Sequence, residues 1–163
     1  MKASFKAASC MVILTMLVFV PSALAQANKL VGVWKITEAR IVPPPDQKRK
    51  PTEIKDPQPG IIIFTKNHFS WVDNHGKPLP DLQEENPDVA YFATAFNQLT
   101  AFSGTYHVKG TSIMAPVIVS KMPTVTSEGS SLNFDFKFEG DILVLTWHAP
   151  EKNQITFKLE RLE

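Results

Sequence analysis

Leu132-Asn133-Phe134-Asp135-Phe136-Lys137-Phe138-Glu139 alternates without exception: Leu132, Phe134, Phe136 and Phe138 lie on one side, Asn133, Asp135, Lys137 and Glu139 on the other. A period of two is the signature of a strand with one buried and one wet face. The flanking residues extend the pattern into hairpins. Gly140-Asp141 turns the chain into the apolar run Ile142-Leu143-Val144-Leu145-Thr146-Trp147, and Asn153 to Leu162 makes a closing strand. Upstream, Glu128-Gly129-Ser130 is a turn, and Ser112 to Lys121 reads as a strand in which Pro116 implies an edge or a bulge. Ser103 to Val108 precedes it across a turn at Lys109-Gly110-Thr111. Ile61-Ile62-Ile63-Phe64-Thr65 and His68-Phe69-Ser70-Trp71-Val72 form an earlier pair around Lys66-Asn67, followed by a turn cluster from Asp73 to Pro78.

Two segments break the strand pattern. Pro43 to Gly60 contains Pro43, Pro44, Pro45, Pro51, Pro57 and Pro59, and proline donates nothing to a ladder. Residues 43–60 are therefore expected as an extended loop stiffened by polyproline geometry, an idle surface insertion rather than a lid or partner-binding loop. Val89, Phe92, Phe96 and Leu99 recur at helical spacing, with Asn86 as the expected N-cap and Pro87 at the first helical position. This helix is expected to cap a barrel end or pack on its outside.

The first strand, Leu30 to Val42, carries Gly32 two residues before Trp34. A Trp buries roughly 150–250 Å², about 4–6 kcal/mol of transfer free energy, so Trp34 is a core residue on physical grounds alone. At the other end of the chain stands Arg161. Gly32, Trp34 and Arg161 together resemble the signature of the lipocalin superfamily, in which a Gly-x-Trp on the first strand plugs the closed end of a barrel and a basic residue on the last strand covers the indole. Gln58-Pro59-Gly60-Ile61-Ile62-Ile63-Phe64 and Ala101-Phe102-Ser103-Gly104-Thr105-Tyr106-His107-Val108-Lys109-Gly110 resemble segments of the bacterial lipocalin-like domain, a calycin-type family. The resemblance covers most of residues 29–162 and implies an all-β fold, an antiparallel up-and-down barrel of about eight strands. The chain departs from the family at Lys66-Asn67, where an Asp-Gly turn is expected. A barrel of that size holds its own side chains or one small ligand.

Residues 1–25 read as a secretory signal peptide: Lys2 and Lys6, an apolar run from Met11 to Val20, Pro21, and Ala23-Leu24-Ala25 as cleavage site. The domain is then 26–163, secreted or periplasmic, with no stable membrane insertion after cleavage. Cys10 leaves with the signal, so neither a disulfide nor thiol chemistry is expected. The 17 basic and 16 acidic residues nearly cancel, which removes the electrostatic case for a nucleic-acid partner.

No catalytic or phosphate-binding motif is present, and neither a cofactor nor a metal is expected. His68, Asp73 and His75 are close in sequence but read as surface residues rather than metal ligands. His107, His148 and Asp135 or Asp73 are the acid/base candidates of an alternative reading as an isomerase, cyclase or hydrolase. What remains is an aromatic interior. Alternation points Phe69, Trp71, Tyr106, Phe134, Phe136, Leu145 and Trp147 inward, with Phe92 and Phe96 added from the helix. These are the expected contacts for a small hydrophobic or amphipathic molecule, unless the same rings simply fill the barrel.

Overall fold

Barrel closure follows from the alternating strands, each of which buries one face against the others. The computed structural model describes residues 27–76, 78, 88–122, 130–149 and 153–163. The expected signal peptide, Asn86, Pro87 and most of the turn before Ser130 lie outside the described residues. The strands are β1 (Gly32–Val42), β2 (Thr52–Lys55), β3 (Gly60–Phe64), β4 (His68–Asn74), β5 (Leu99–Thr105), β6 (His107–Lys109), β7 (Ser112–Ser120), β8 (Ser131–Glu139), β9 (Ile142–His148) and β10 (Gln154–Arg161). One helix, α1 (Val89–Gln98), joins β4 to β5, and residues 27–30 form a helical turn before β1.

Eight strands close an antiparallel barrel in the order β1-β3-β4-β5-β7-β8-β9-β10, with β10 returning to β1. The other two are extensions. β6 prolongs β5 past Tyr106 and pairs with the first half of β7, His107 facing Met114. β2 takes the same edge of β1 as β3, but further along it, with Glu38 opposite Lys55 and Trp34 opposite Ile62.

β2 corrects the reading of residues 43–60 as a loop throughout. Thr52-Glu53-Ile54-Lys55 falls between Pro51 and Pro57, so its own amides are free to pair, and it does so with Glu38 to Ile41. All four of its residues are exposed, so it leaves no hydrophobic period to read. Pro116 sits where β7 passes from β6 to β5 and stays in register, opposite Ser131 on its other side. The bulge falls two residues further on, at Ile118, where Gly104 pairs with Val117 but Ser103 with Val119. A Cβ on Gly104 would overlap the Pro116 carbonyl, so the glycine permits this crossing. Lys66-Asn67 makes a tight turn without positive φ, and Thr65 Oγ1 accepts from the His68 amide at 3.1 Å, fixing Phe64 opposite Phe69.

The core is a stack of rings and aliphatics. Toward one end lie Leu30, Trp34, Phe64, Phe69, Tyr106, Phe136 and Leu159, all buried. Trp34 is fully buried, and its Nε1 donates to the Leu30 carbonyl at 2.8 Å. Arg161, its Cα partner on β10, lays its guanidinium 4.3 Å from the ring centroid. The same guanidinium donates to the carbonyls of Val31 (2.8 Å), Glu163 (3.1 Å) and Lys29. Gly32, at φ +151°, leaves room for it; a Cβ there would collide with the Arg161 guanidinium and the Glu163 carbonyl. Arg161 thus closes this end of the barrel by tying the helical turn and the C-terminus over Trp34.

Removing the Arg161 hydrogen bonds should loosen this end. Arg161→Ala is expected to lower stability by about 2 kcal/mol and to red-shift the emission of Trp34. Arg161→Lys, which keeps the charge but not the planar fork, is expected to fall between the two. Urea melts of both variants, followed by tryptophan fluorescence, check this.

Candidate functional site

The opposite end of the barrel is hollow. A cavity of about 360 Å³ is lined by Ile41, Trp71, Asp73, His75, Asn97, Leu99, Thr100, Ala101, Phe102, Lys121, Met122, Trp147, Ile155 and Phe157. Alternation builds it strand by strand. Trp71 and Asp73 share one face of β4, Ile155 and Phe157 one face of β10, and Ile155 faces Ile41 across the β1–β10 ladder. Trp71 forms the floor. It is 2% exposed and meets the edges or faces of Phe102, Trp147 and Phe157 at centroid distances of 5.9, 5.5 and 5.1 Å. On its other side it touches Phe134 at 6.0 Å, so the ring separates the hollow half from the packed half.

The lining is apolar apart from a small set of polar groups. Trp71 Nε1, Trp147 Nε1 and Asp73 Oδ1 are buried and have no hydrogen-bond partner. Burial pushes the Asp73 carboxyl above the ordinary carboxylate range, an effect that Thr100, His75, the Trp71 N–H and Lys121 partly offset. The Trp71 N–H is near enough to favour the charged carboxylate without reaching hydrogen-bond geometry. Three of the other polar lining groups have contacts of their own. His75 Nδ1 lies 3.3 Å from the Thr100 hydroxyl. Lys121 donates to the Phe96 carbonyl, near the C-terminal end of α1, and stands 4.5 Å from the Phe96 ring centroid.

Of the residues expected to face inward, Trp71 and Trp147 line the cavity. Phe69, Tyr106, Phe134, Phe136 and Leu145 also point inward but are buried in the packed part of the core. Phe92 and Phe96 do not join them: they are 56% and 54% exposed, and α1 buries none of its residues. The helix also starts later than expected, because Asp88 is the N-cap and accepts from the Tyr91 amide at 2.8 Å. Phe102 and Phe157 were missed, although the period-two runs Phe102-Gly104-Tyr106 and Ile155-Phe157-Leu159 carry the signal. Thr100 and Lys121 carry no such signal, since they flank a helix and a strand end.

Of the acid/base candidates, Asp73 lines the cavity, whereas Asp135, His148 and His107 are on the outside. Asp135 accepts from the Ser112 hydroxyl at 2.7 Å and contacts His148 Nε2 at 2.7 Å, all on exposed faces. These two bonds hold the Asp135 carboxyl below its ordinary range. The order is serine–aspartate–histidine, so the histidine does not reach the hydroxyl it would have to deprotonate. His107 is exposed on β6, three strand spacings from β9, about 14 Å. His68 is exposed at the start of β4, away from the mouth where Asp73 and His75 sit. Among the described residues, no three His, Cys, Asp or Glu gather as a metal site.

No family model and no curated protein matches the chain. Among solved structures, it is similar to an uncharacterized protein from Bacteroides eggerthii DSM 20697, at 13% identity and a TM-score of 0.42, over 79% of this chain and 98% of that one.

The raised Asp73 pKa has a stability consequence. The folded state holds the Asp73 proton more tightly than the unfolded chain, so its contribution is favourable at low pH and is lost as pH rises through the folded pKa. Asp73→Asn is therefore expected to unfold at higher urea than the parent at about pH 7 and at the same urea at about pH 3. Equal midpoints at both values would show that the carboxylate is solvated.

Proposed function

We propose that this chain is an exported, lipocalin-like binding protein that takes one small, largely apolar molecule into the open-end cavity. The observation that carries this is the cavity itself: about 360 Å³ walled by Trp71, Phe102, Trp147, Ile155 and Phe157. That volume lies at the lower end of the roughly 300–1,000 Å³ typical of small-molecule sites. A barrel whose function needed only its outer surface would have no reason to stop packing at Trp71. The segment Met1 to Ala25 supports export, and among the described residues no helix is long and apolar enough to cross a membrane.

Size limits the affinity. An eight-carbon chain gains about 6 kcal/mol on leaving water, while association costs roughly 4–15 kcal/mol. Apolar burial alone therefore gives weak binding, and the polar groups in the wall decide the rest.

The uncharged dye N-phenyl-1-naphthylamine tests the reading. It is expected to bind saturably at one site per chain and to quench Trp71 and Trp147. Ile155→Trp, which fills the cavity from its wall, is expected to weaken binding by about tenfold or more while leaving the fold intact by circular dichroism. A dye that binds without saturation, or equally well to Ile155→Trp, would remove the cavity as the site. Mass spectrometry of the protein purified from its own host would then identify the resident molecule.

A further inference from the structure

We propose that the cavity selects an uncharged, apolar molecule bearing a hydroxyl group, an alcohol rather than a carboxylate, an amine or a plain hydrocarbon. The proposal rests on the cavity being a ligand site and adds what that ligand must present. Trp71 Nε1, Trp147 Nε1 and Asp73 Oδ1 belong to residues that line the cavity, and all three atoms are buried without a partner. The residues that carry them are neighbours. Trp71 and Asp73 are two residues apart on one face of β4, and the Trp147 ring is 5.5 Å from Trp71.

The set comprises two donors and one acceptor. A hydroxyl oxygen has two lone pairs and one proton, so a single oxygen can accept from both indoles and donate to Asp73. Each competing head group fails on at least one partner. A carboxylate accepts from the indoles but brings a second negative charge against Asp73. An ammonium pairs with Asp73 but leaves both indole N–H groups unsatisfied. A hydrocarbon leaves all three so. An unmatched buried polar group is the main source of discrimination in such sites, larger than a methylene's difference in fit.

The cationic groups nearby do not reverse this ranking. The Lys121 ammonium is held at the Phe96 carbonyl and over the Phe96 ring, and His75 faces the Thr100 hydroxyl. Both keep further donors, but these already act on the Asp73 carboxylate. Burial, which raises the Asp73 pKa, also favours a partner that donates a proton without adding charge.

Competition against N-phenyl-1-naphthylamine near neutral pH, using n-octanol, octanoate, octylammonium and n-octane, separates these cases. Octanol is expected to displace the dye at concentrations about tenfold or more below the other three. Asp73→Asn should strengthen octanoate binding by about tenfold, since the like charge is gone. Trp147→Phe should lower the preference for octanol over octane by roughly three- to tenfold, a ratio that a misfolded variant would not change selectively. Octanoate or octylammonium within about threefold of octanol, with the dye bound, would overturn the proposal and leave the cavity reading standing. Octane equal to octanol would do the same. A dye that does not bind saturably to the parent would overturn both.

Discussion

The pairing of β1 with β10 is the constraint on which the rest of the molecule depends. It runs from Trp34 opposite Arg161 to Val42 opposite Gln154, with one slip beside Thr37. It joins the first and last strands of the barrel, so the eight barrel strands leave no open edge and only the short β2 adds one outside them. The pairing also sets Arg161 beside Trp34, where one guanidinium can cover the indole and gather three carbonyls. Without that register, the helical turn at residues 27–30 would keep only its Lys29 contacts to Gly140 and Phe138, and the Leu30 carbonyl that accepts the buried indole N–H would be less firmly placed.

Closure leads directly to the division of the interior. The strands are long enough for two layers of inward side chains, and the layers differ in size. Near Trp34 the layer includes Phe64, Phe69, Tyr106, Phe136 and Leu159, which interlock. Above Trp71, the inward positions fall to Thr100, Asp73, Ile155 and Ile41, which are smaller groups. The hollow is a matter of side-chain volume, not of a different backbone. Its polar atoms follow from the same alternation, since the residue two beyond Trp71 on that face is an aspartate.

Much of this was legible in the sequence where both faces of a strand left a trace. Leu132 to Glu139 alternates between aromatic and charged residues, and β8 buries Leu132, Phe134 and Phe136 as that pattern requires. Thr52 to Lys55 could not be read because both its faces are wet; only its partner on β1 makes it a strand. Phe92 and Phe96 misled for a related reason. Spacing of four residues shows that two rings share a helix face, and says nothing of what covers that face. The cavity was hidden more deeply. Alternation identifies the residues that point inward, but whether their volumes fill a barrel depends on the strand separation at each level. Asp73 was legible as a turn residue and an acid/base candidate but not as a cavity residue, because its setting comes from Trp71 and Thr100, on two different strands.

Trp71 acts as a bulkhead between the two halves. The packed half carries the closure, the clamp and most of the fully buried side chains, while the hollow half carries the groups that would meet a guest. Changes at Thr100, Ile155 or Met122 act on the hollow side of that wall, away from the Arg161 clamp over Trp34. A barrel partitioned in this way can vary its occupant over evolutionary time while its foundation stays as it is.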